Sequence, residues 1–267
     1  MSAIIMNGKK VANEVELALK RDISVARLIP RLLIVTDDSD PASRVYIRNK
    51  VKAAERCGIE AVVVNILERG DLHEVTSMYD EFDGIIVQLP MRVESVANYL
   101  IREIPANKDV DGLSYGEKSY FAPCTPSGIM RLLDYYKIPI EGAHAVIVGR
   151  SKLVGRPLAQ MLLNRNATVT VCHSKTQQLW THTVQADILI SAVGSPKLIN
   201  GYDIGGGSVV IDVGINRVDG KLCGDVDYEM AKNVAGHITP VPGGVGPMTV
   251  AMLMENTYRA AMLRDGW

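Results

Sequence analysis

Apolar and polar positions along this chain switch between two periods, and the order of the switches predicts the architecture. From residue 8 to about residue 23, Val11, Val15, Ala18 and Leu19 recur at helical spacing and predict an amphipathic helix. Residues 31–35 (RLLIV) form a continuous apolar run, as in a parallel strand buried on both faces. A helix comes next, because Pro41 and Ala42 suit a helix start after Asp40 and Gly58 suits its end. Strand AVVVNI, a helix near residues 72–79 and strand GIIVQL extend the series, and residues 94–102 add a further helix. Strands alternating with helices in this way predict a parallel sheet with right-handed crossovers.

Residues 107–128 break the pattern. They show almost no periodicity and are rich in Gly, Pro, Ser and Asp, which predicts a connector between domains. Residues 127–136 then read as a helix leading to AVIVGRSKLVGRP, the stretch around which the second half is organised. An apolar run that ends at Gly149 and restarts after Gly155 predicts strand, tight turn and helix. The amides at the start of that helix, with its dipole, favour a phosphate at the turn, although the spacing is not G-x-G-x-x-G and no G-K-[ST] follows. Further strands are predicted near Val169, Ile188 and Val209, with a hairpin turning at Asp219-Gly220 and a last strand over residues 237–241. PVPGGVGPMT is too glycine-rich for packing alone, and residues 249–263 predict a closing helix with Val250, Leu253, Met254 and Thr257 on one face.

Composition narrows the function classes. With 267 residues and 47% hydrophobic content the chain can fill two modest cores, and a net charge of −1 gives no reason to expect nucleic acid. No apolar run reaches membrane-spanning length, and the first residues lack the pattern of a signal peptide, so a cytoplasmic location is expected. Cys57, Cys124, Cys172 and Cys223 show no C-x-x-C spacing and the histidines no H-x-x-x-H pair, so reduced thiols and no metal are expected.

The candidate chemistry lies in both halves. Nucleotide folds of this type usually carry an acid about 20 residues after the turn to bind the ribose hydroxyl, whereas here His173, Ser174 and Lys175 occupy that place. With Arg150 at the turn, the pocket is basic and hydroxyl-bearing, which predicts NADP rather than NAD. Tyr46 and Lys50 stand four apart on one helix face and could form a proton-transfer pair, although the same spacing is common on solvated faces. Y-x-x-x-K also occurs in short-chain dehydrogenases, but there the pair follows the nucleotide turn, and here it precedes it. Gln88 ends a buried strand at its carboxyl edge, where open α/β sheets bind ligands. Asp111, in KDVDG, is either an acceptor for an aminopyrimidine-like group or an Asx-turn residue before Gly112.

SRVYIRNKVKAAERCGI, DGIIVQLP, KDVDG, PCTPSG, VGRSKLVGRP, CHSKT, GIN and TPVPGGVGPMT occur in this order, and with them the chain resembles the bifunctional methylenetetrahydrofolate dehydrogenase/methenyltetrahydrofolate cyclohydrolase family from its first helix to its last. The resemblance implies that Lys50 is catalytic in the hydrolytic step, that Tyr46 positions the folate ring, that Gln88 tunes the lysine and that Asp111 anchors the pterin. Gly149, Arg150, Ser151, Ser174 and Ile215 match the family's NADP contacts, and Pro242, Gly243 and Gly244 match a loop on the folate side. It further implies a homodimer, and an NADP-dependent oxidation followed by hydrolysis to 10-formyltetrahydrofolate in one-carbon metabolism. The predicted fold is α/β with two domains, each on a mainly parallel sheet. Residues 1–118, completed by helix 246–267, form a folate domain, and residues 119–245 form a Rossmann-like NADP domain.

Two stretches depart from the family pattern. Met91 and Arg92 follow VQLP where relatives carry Leu-Pro and a histidine, and residues 113–122 are shorter than in relatives. Both border the folate site, so they bear on substrate affinity more than on chemistry. The competing readings are a dehydrogenase without the hydrolytic step and a non-catalytic NADP-binding sensor. Retention of Lys50 speaks against both.

Overall fold

A computed structural model describes residues 2–114, 116 and 118–266; Tyr115 and Glu117, in the expected connector, lie outside the described residues. The chain divides into two compact units, each discontinuous in sequence: residues 13–124 with 250–267, and residues 1–12 with 125–249. The strands are β1 (Ile4–Ile5), β2 (Arg31–Thr36), β3 (Glu60–Asn65), β4 (Gly84–Val87), β5 (His144–Val148), β6 (Thr168–Cys172), β7 (Ile188–Ser191), β8 (Val209–Asp212), β9 (Asn216–Val218), β10 (Lys221–Cys223) and β11 (His237–Ile238). The helices are α1 (Gly8–Ala26), α2 (Pro41–Cys57), α3 (Ile66–Arg69), α4 (Leu72–Ser77), α5 (Glu94–Glu103), α6 (Cys124–Tyr135), α7 (Gly155–Leu163), α8 (Leu179–Thr183), α9 (Tyr228–Ala231) and α10 (Val245–Arg264).

In the unit of residues 13–124 and 250–267, β2 pairs in parallel with β3 on one side and β4 on the other. The apolar runs of β2 and β4 are buried because both strands are covered on their faces, and Leu33, Val35, Ile85 and Val87 pack with Val75, Tyr79, Leu100 and Ile104. On α10, Leu253, Met254 and Ala261 are buried. Thr257 Oγ1 lies 3.2 Å from where a Cβ on Gly84 would stand, so this helix rests on the start of β4. Strand β3 is an edge, and its Val62 and Val63 are exposed.

The other unit holds a parallel sheet in the order β1-β11-β8-β7-β5-β6. Val146, Val148, Leu189 and Val210 line one face of its core with Ile199, Ile204 and Ala231. Strands β9 and β10 form the expected hairpin, with Asp219 at φ +48° and Gly220 at φ +75°. Two successive left-handed residues are what a type I′ turn requires.

Four boundaries differ from the sequence expectation. The first residues, expected with the folate domain, contribute β1, which pairs with β11 and so belongs to the second sheet. Helix α6 starts at Cys124 and α10 at Val245, both earlier than the composition suggests. Pro126 and Pro247 sit in the first turns, where a missing N–H costs nothing, so sequences that read as loop open helices. The final strand is only the two residues of β11, because the chain turns away at Thr239 to enter the glycine-rich loop.

Candidate active site and nucleotide site

The unit of residues 13–124 and 250–267 carries Tyr46, Lys50, Gln88 and Asp111. Helix α2, which packs against β3, presents Tyr46 and Lys50 one turn apart, and Gln88 follows directly on β4. Lys50 Nζ donates to Gln88 Oε1 at 2.9 Å. Gln88 Nε2 donates in turn to Leu89 O at 2.8 Å, which fixes the amide with its oxygen toward the lysine. Gln88 is 8% exposed, whereas Tyr46 is 38% exposed and meets solvent. A cis peptide bond, Leu89-Pro90, turns the chain immediately beyond. Past it, the departing pair Met91-Arg92 packs back onto the sheet: Met91 packs against the core of the unit, and Arg92 N donates to Asp37 Oδ2. Burial pushes the Asp37 carboxyl up, but hydrogen bonds from the Ser39 hydroxyl and from the Arg92 and Ser39 amides, with the Arg92 charge, leave it below the usual range.

Asp111 is held by what surrounds it. Buried Asp109 accepts from Leu113 N at 3.0 Å and Ser114 N at 2.8 Å, folding KDVDG into a closed turn. Burial, only partly opposed by those bonds, raises the Asp109 carboxyl above the usual range. From α10, Asn256 Nδ2 donates to Val110 O at 2.9 Å and Ala122 O at 3.3 Å, pinning both sides of the segment. Cys124 Sγ also donates to Val110 O, at 3.3 Å. Burial lifts the Cys124 thiol far above its ordinary value; the Asp111 carboxylate adds to the rise and the Lys50 ammonium opposes it. Lys50 is thus joined to Gln88, while Asp111 sits in the turn that Asp109, Cys124 and Asn256 hold. Asn256 and Asp109 were not singled out by the sequence. Asn256 lies between Glu255 and Thr257, so nothing in the local pattern sets it apart.

The unit of residues 1–12 and 125–249 carries the other set. Gly149 leaves β5 at φ +124°, and a Cβ there would stand 2.4 Å from Ala192 O. Only glycine fits, for both reasons. Ser151 Oγ accepts from Val154 N at 3.2 Å and Gly155 N at 3.5 Å, closing the turn into α7. Arg156 Nε donates to Arg150 O at 3.2 Å, so the loop backbone is held while the Arg150 side chain stays exposed. After β6, Thr176 Oγ1 accepts from His173 N at 2.9 Å and His173 Nδ1 accepts from Lys175 N at 3.1 Å, making a compact turn that leaves Ser174 and Lys175 exposed. Ile215, beyond β8, is 46% exposed. Exposed Arg150, Ser151, Ser174 and Lys175, with no acid in the turn after β6, make a donor set that fits a nucleotide carrying a 2′-phosphate.

Pro242, Gly243 and Gly244 belong to this same unit, in the loop before α10. Lys9 N donates to Gly243 O at 3.0 Å, and a Cβ on Gly8 would stand 1.9 Å from Gly244 O. The start of α1 thus rests directly on the glycine loop. Asn7 caps that helix through Oδ1, which accepts from Lys10 N at 3.0 Å, while Asn7 N donates to the Tyr136 hydroxyl at 2.7 Å. No local pattern in the chain signals this buttress.

Comparison with known proteins agrees over nearly the whole chain. Residues 6–111 match the tetrahydrofolate dehydrogenase/cyclohydrolase catalytic domain, and residues 123–265 match the NAD(P)-binding domain of the same family. A bifunctional protein FolD of Nitrosospira multiformis is 48% identical over 98% of this chain and 96% of its own length. That of Methanoculleus marisnigri is 46% identical over 98% and 97%. Among solved structures, the bifunctional FolD methylenetetrahydrofolate dehydrogenase/cyclohydrolase of Campylobacter jejuni is 40% identical with a TM-score of 0.89, covering 98% of this chain and 100% of that one. The Trypanosoma brucei dehydrogenase-cyclohydrolase, solved with NADP cofactor and an inhibitor, is 32% identical with a TM-score of 0.90, covering 100% of each chain.

Proposed function

Since the chain belongs to the tetrahydrofolate dehydrogenase/cyclohydrolase family, we propose that it oxidises 5,10-methylenetetrahydrofolate with NADP and hydrolyses the resulting methenyl compound to 10-formyltetrahydrofolate. The observation that carries the reading of two activities is the Lys50–Gln88 hydrogen bond, which holds an amine beside a cluster able to bind folate.

NADP, when bound, supplies the hydride acceptor. The exposed Arg150 and Ser174 would hold its 2′-phosphate, Ser151 and the Gly149 turn would receive its other phosphates, and Ile215 would offer an apolar surface. Asp111 accepts from the pterin's amino and ring N–H groups, and Tyr46 lies over the ring to fix its orientation. Pro242, Gly243 and Gly244, in the loop before α10, would also contact folate. Hydride transfer needs little more than this alignment.

Hydrolysis needs a proton carrier. Water adds to the methenyl carbon and gives up both its protons, one delivered to N5 as the bond from that carbon to N5 breaks and one released to solvent, and the formyl group stays on N10. Lys50 Nζ moves the proton, and Gln88 Oε1 holds the amine on the line of attack. A dehydrogenase without hydrolysis, or a non-catalytic nucleotide sensor, would have no use for that pairing.

The protein acts as a homodimer, a reading supported by edge strand β3 with exposed Val62 and Val63, since an unpaired apolar edge calls for a partner. It works in the cytoplasm, in keeping with four free cysteines. No helix of the described residues is long and apolar enough to cross a membrane. The deciding experiment assays both reactions on one sample: NADP reduction with methylenetetrahydrofolate, and decay of methenyltetrahydrofolate without nucleotide. Reduction alone would leave a dehydrogenase; neither would leave a binding protein.

A further inference from the structure

Two aspartates remain that the proposed chemistry does not use. Asp212 ends β8 and Asp225 follows β10; the first is 4% exposed and the second is fully buried. A carboxylate removed from water is costly unless hydrogen-bond donors replace the lost hydration, and here backbone amides do so. Asp225 Oδ2 accepts from Val193 N at 2.8 Å, Gly194 N at 3.2 Å and Ser191 Oγ at 3.3 Å. Its Oδ1 accepts from Ser195 N at 2.9 Å and Asn216 Nδ2 at 3.0 Å. Asp212 accepts from Gly214 N at 3.0 Å and from Asp225 N and Val226 N, both at 2.9 Å.

One side chain therefore ties the loop after β7 to Asn216, where the loop after β8 enters β9. Both leave the carboxyl edge of the parallel sheet, the edge at which such sheets bind ligands. Ala192, beside Val193, carries the carbonyl that seats Gly149, and its N donates to Val148 O at 2.8 Å. Asn216 adjoins Ile215. Packing around the carboxylates leaves no slack: a Cβ on Gly214 would stand 2.2 Å from Asp225 Oδ1, and one on Gly224 would stand 1.8 Å from Asp212 Oδ2.

We propose that Asp225 is a positioning residue for the cofactor: by gathering five donors it fixes the loops after β7 and β8, and through them the seat of Gly149 and the place of Ile215. This rests on the reading of the unit as an NADP site. A carboxylate suits the role because both its oxygens accept, with about four lone-pair positions in all. An amide in its place would turn an NH2 group toward N–H donors on one side and release one of the two loops.

The test uses the full-length enzyme with two variants, Asp225→Asn and the milder Asn216→Ala, which cuts only the link to the β8 loop. Measured are KM and kcat for NADP at saturating methylenetetrahydrofolate, methenyltetrahydrofolate hydrolysis without nucleotide, and Tm. Losing charge-assisted hydrogen bonds should raise KM for NADP about tenfold or more in Asp225→Asn, and about threefold in Asn216→Ala. Dehydrogenase kcat and hydrolysis should stay within about twofold of wild type, since a role confined to folding would lower the active fraction and leave KM unmoved. Unchanged KM in folded Asp225→Asn overturns the proposal, as does parallel loss of both activities. Should Asp225→Asn fail to fold, Asn216→Ala decides, and an unchanged KM there overturns it too. A wild-type enzyme that reduces no NADP refutes the nucleotide reading itself, and this proposal falls with it.

Discussion

Lys50 and Gln88 lie 38 positions apart in the chain and 2.9 Å apart in space, joined by a hydrogen bond that sets the direction of the lysine amine. Lys50→Met keeps the length and apolar bulk of the side chain and deletes only the amine. Hydrolysis of methenyltetrahydrofolate should fall about a hundred- to ten-thousandfold, the usual loss for a general acid or base. NADP reduction should fall far less, so the methenyl intermediate should accumulate and be seen by its absorbance. Near wild-type hydrolysis in this variant would move the proton chemistry elsewhere.

Arg150 should separate the two nicotinamide cofactors. Its exposed side chain stands at the nucleotide turn, and the turn after β6 offers hydroxyl and basic groups in place of an acid. Replacing it with alanine should raise KM for NADP roughly ten- to a hundredfold, in line with the loss of a charge-assisted contact, and leave that for NAD nearly unchanged. Equal losses with both cofactors would place the 2′-phosphate elsewhere.

Asn256 should matter to folate without touching it. Its amide satisfies the carbonyls of Val110 and Ala122, and Val110 is the neighbour of Asp111. Asn256→Ala leaves buried acceptors without this donor, at a cost of about 1–3 kcal/mol, and should lower Tm by several degrees. KM for folate should rise while KM for NADP holds. A stability loss with no change in folate KM would reduce Asn256 to a packing role.

The thiols should react in a fixed order. Cys57, Cys124 and Cys172 are buried, and burial pushes their thiols up, Cys57 to about 12. At pH 8 a thiol titrating there is ionised to only about one part in ten thousand, and the thiolate is the reactive form. Cys223, which is partly exposed, should take up an aromatic disulfide reagent first, and the other three only after denaturation. Mass spectrometry of the labelled native protein gives the answer, and early labelling of Cys57 would contradict this burial.

Asp212 should leave a trace in the pH dependence of stability. Burial lifts its carboxyl from 3.8 to about 6; the amides of Val226, Asp225 and Gly214 oppose the rise and the Asp225 charge adds to it. Because the folded value lies above the unfolded one, the folded state takes up a proton first as pH falls, and wild type gains stability between pH 7 and 5 that a variant lacking the acid does not. Relative to Asp212→Asn, wild type should gain about 1 kcal/mol across that interval. Chemical denaturation at both pH values measures it, and a constant difference would mean that Asp212 does not titrate there.

How much of this was legible in the sequence depended on how local each feature is. Strands β2, β4, β5 and β7 could be read because parallel strands buried on both faces must be apolar throughout. The start of α10 could not, because Gly246 and Pro247 look like loop until the first turn of a helix gives proline its place. Strand β1 is two residues long and exists only through β11, so no window along the chain could show it. Helical spacing put Tyr46 and Lys50 on one face, but the acceptor opposite Lys50 comes from a distant strand. Asp225 and Asn256 were silent for the same reason: each acts on backbone groups that only the folded chain brings near.

The parallel pairing of Ile4 with His237 also sets a clock on synthesis. A ribosome adding about 5–20 residues per second delivers the second strand on the order of tens of seconds after the first. Throughout that interval the two isoleucines of β1 have nothing to pair against, and β8, once made, keeps one edge unpaired until β11 follows. Its other unit still lacks residues 250–267, and with them the helix that rests on β4 and satisfies Val110. One sheet waits for β11 and the other unit for α10, so a chain that stalls before residue 237 presents two open sheets at once to whatever holds nascent protein in the cell.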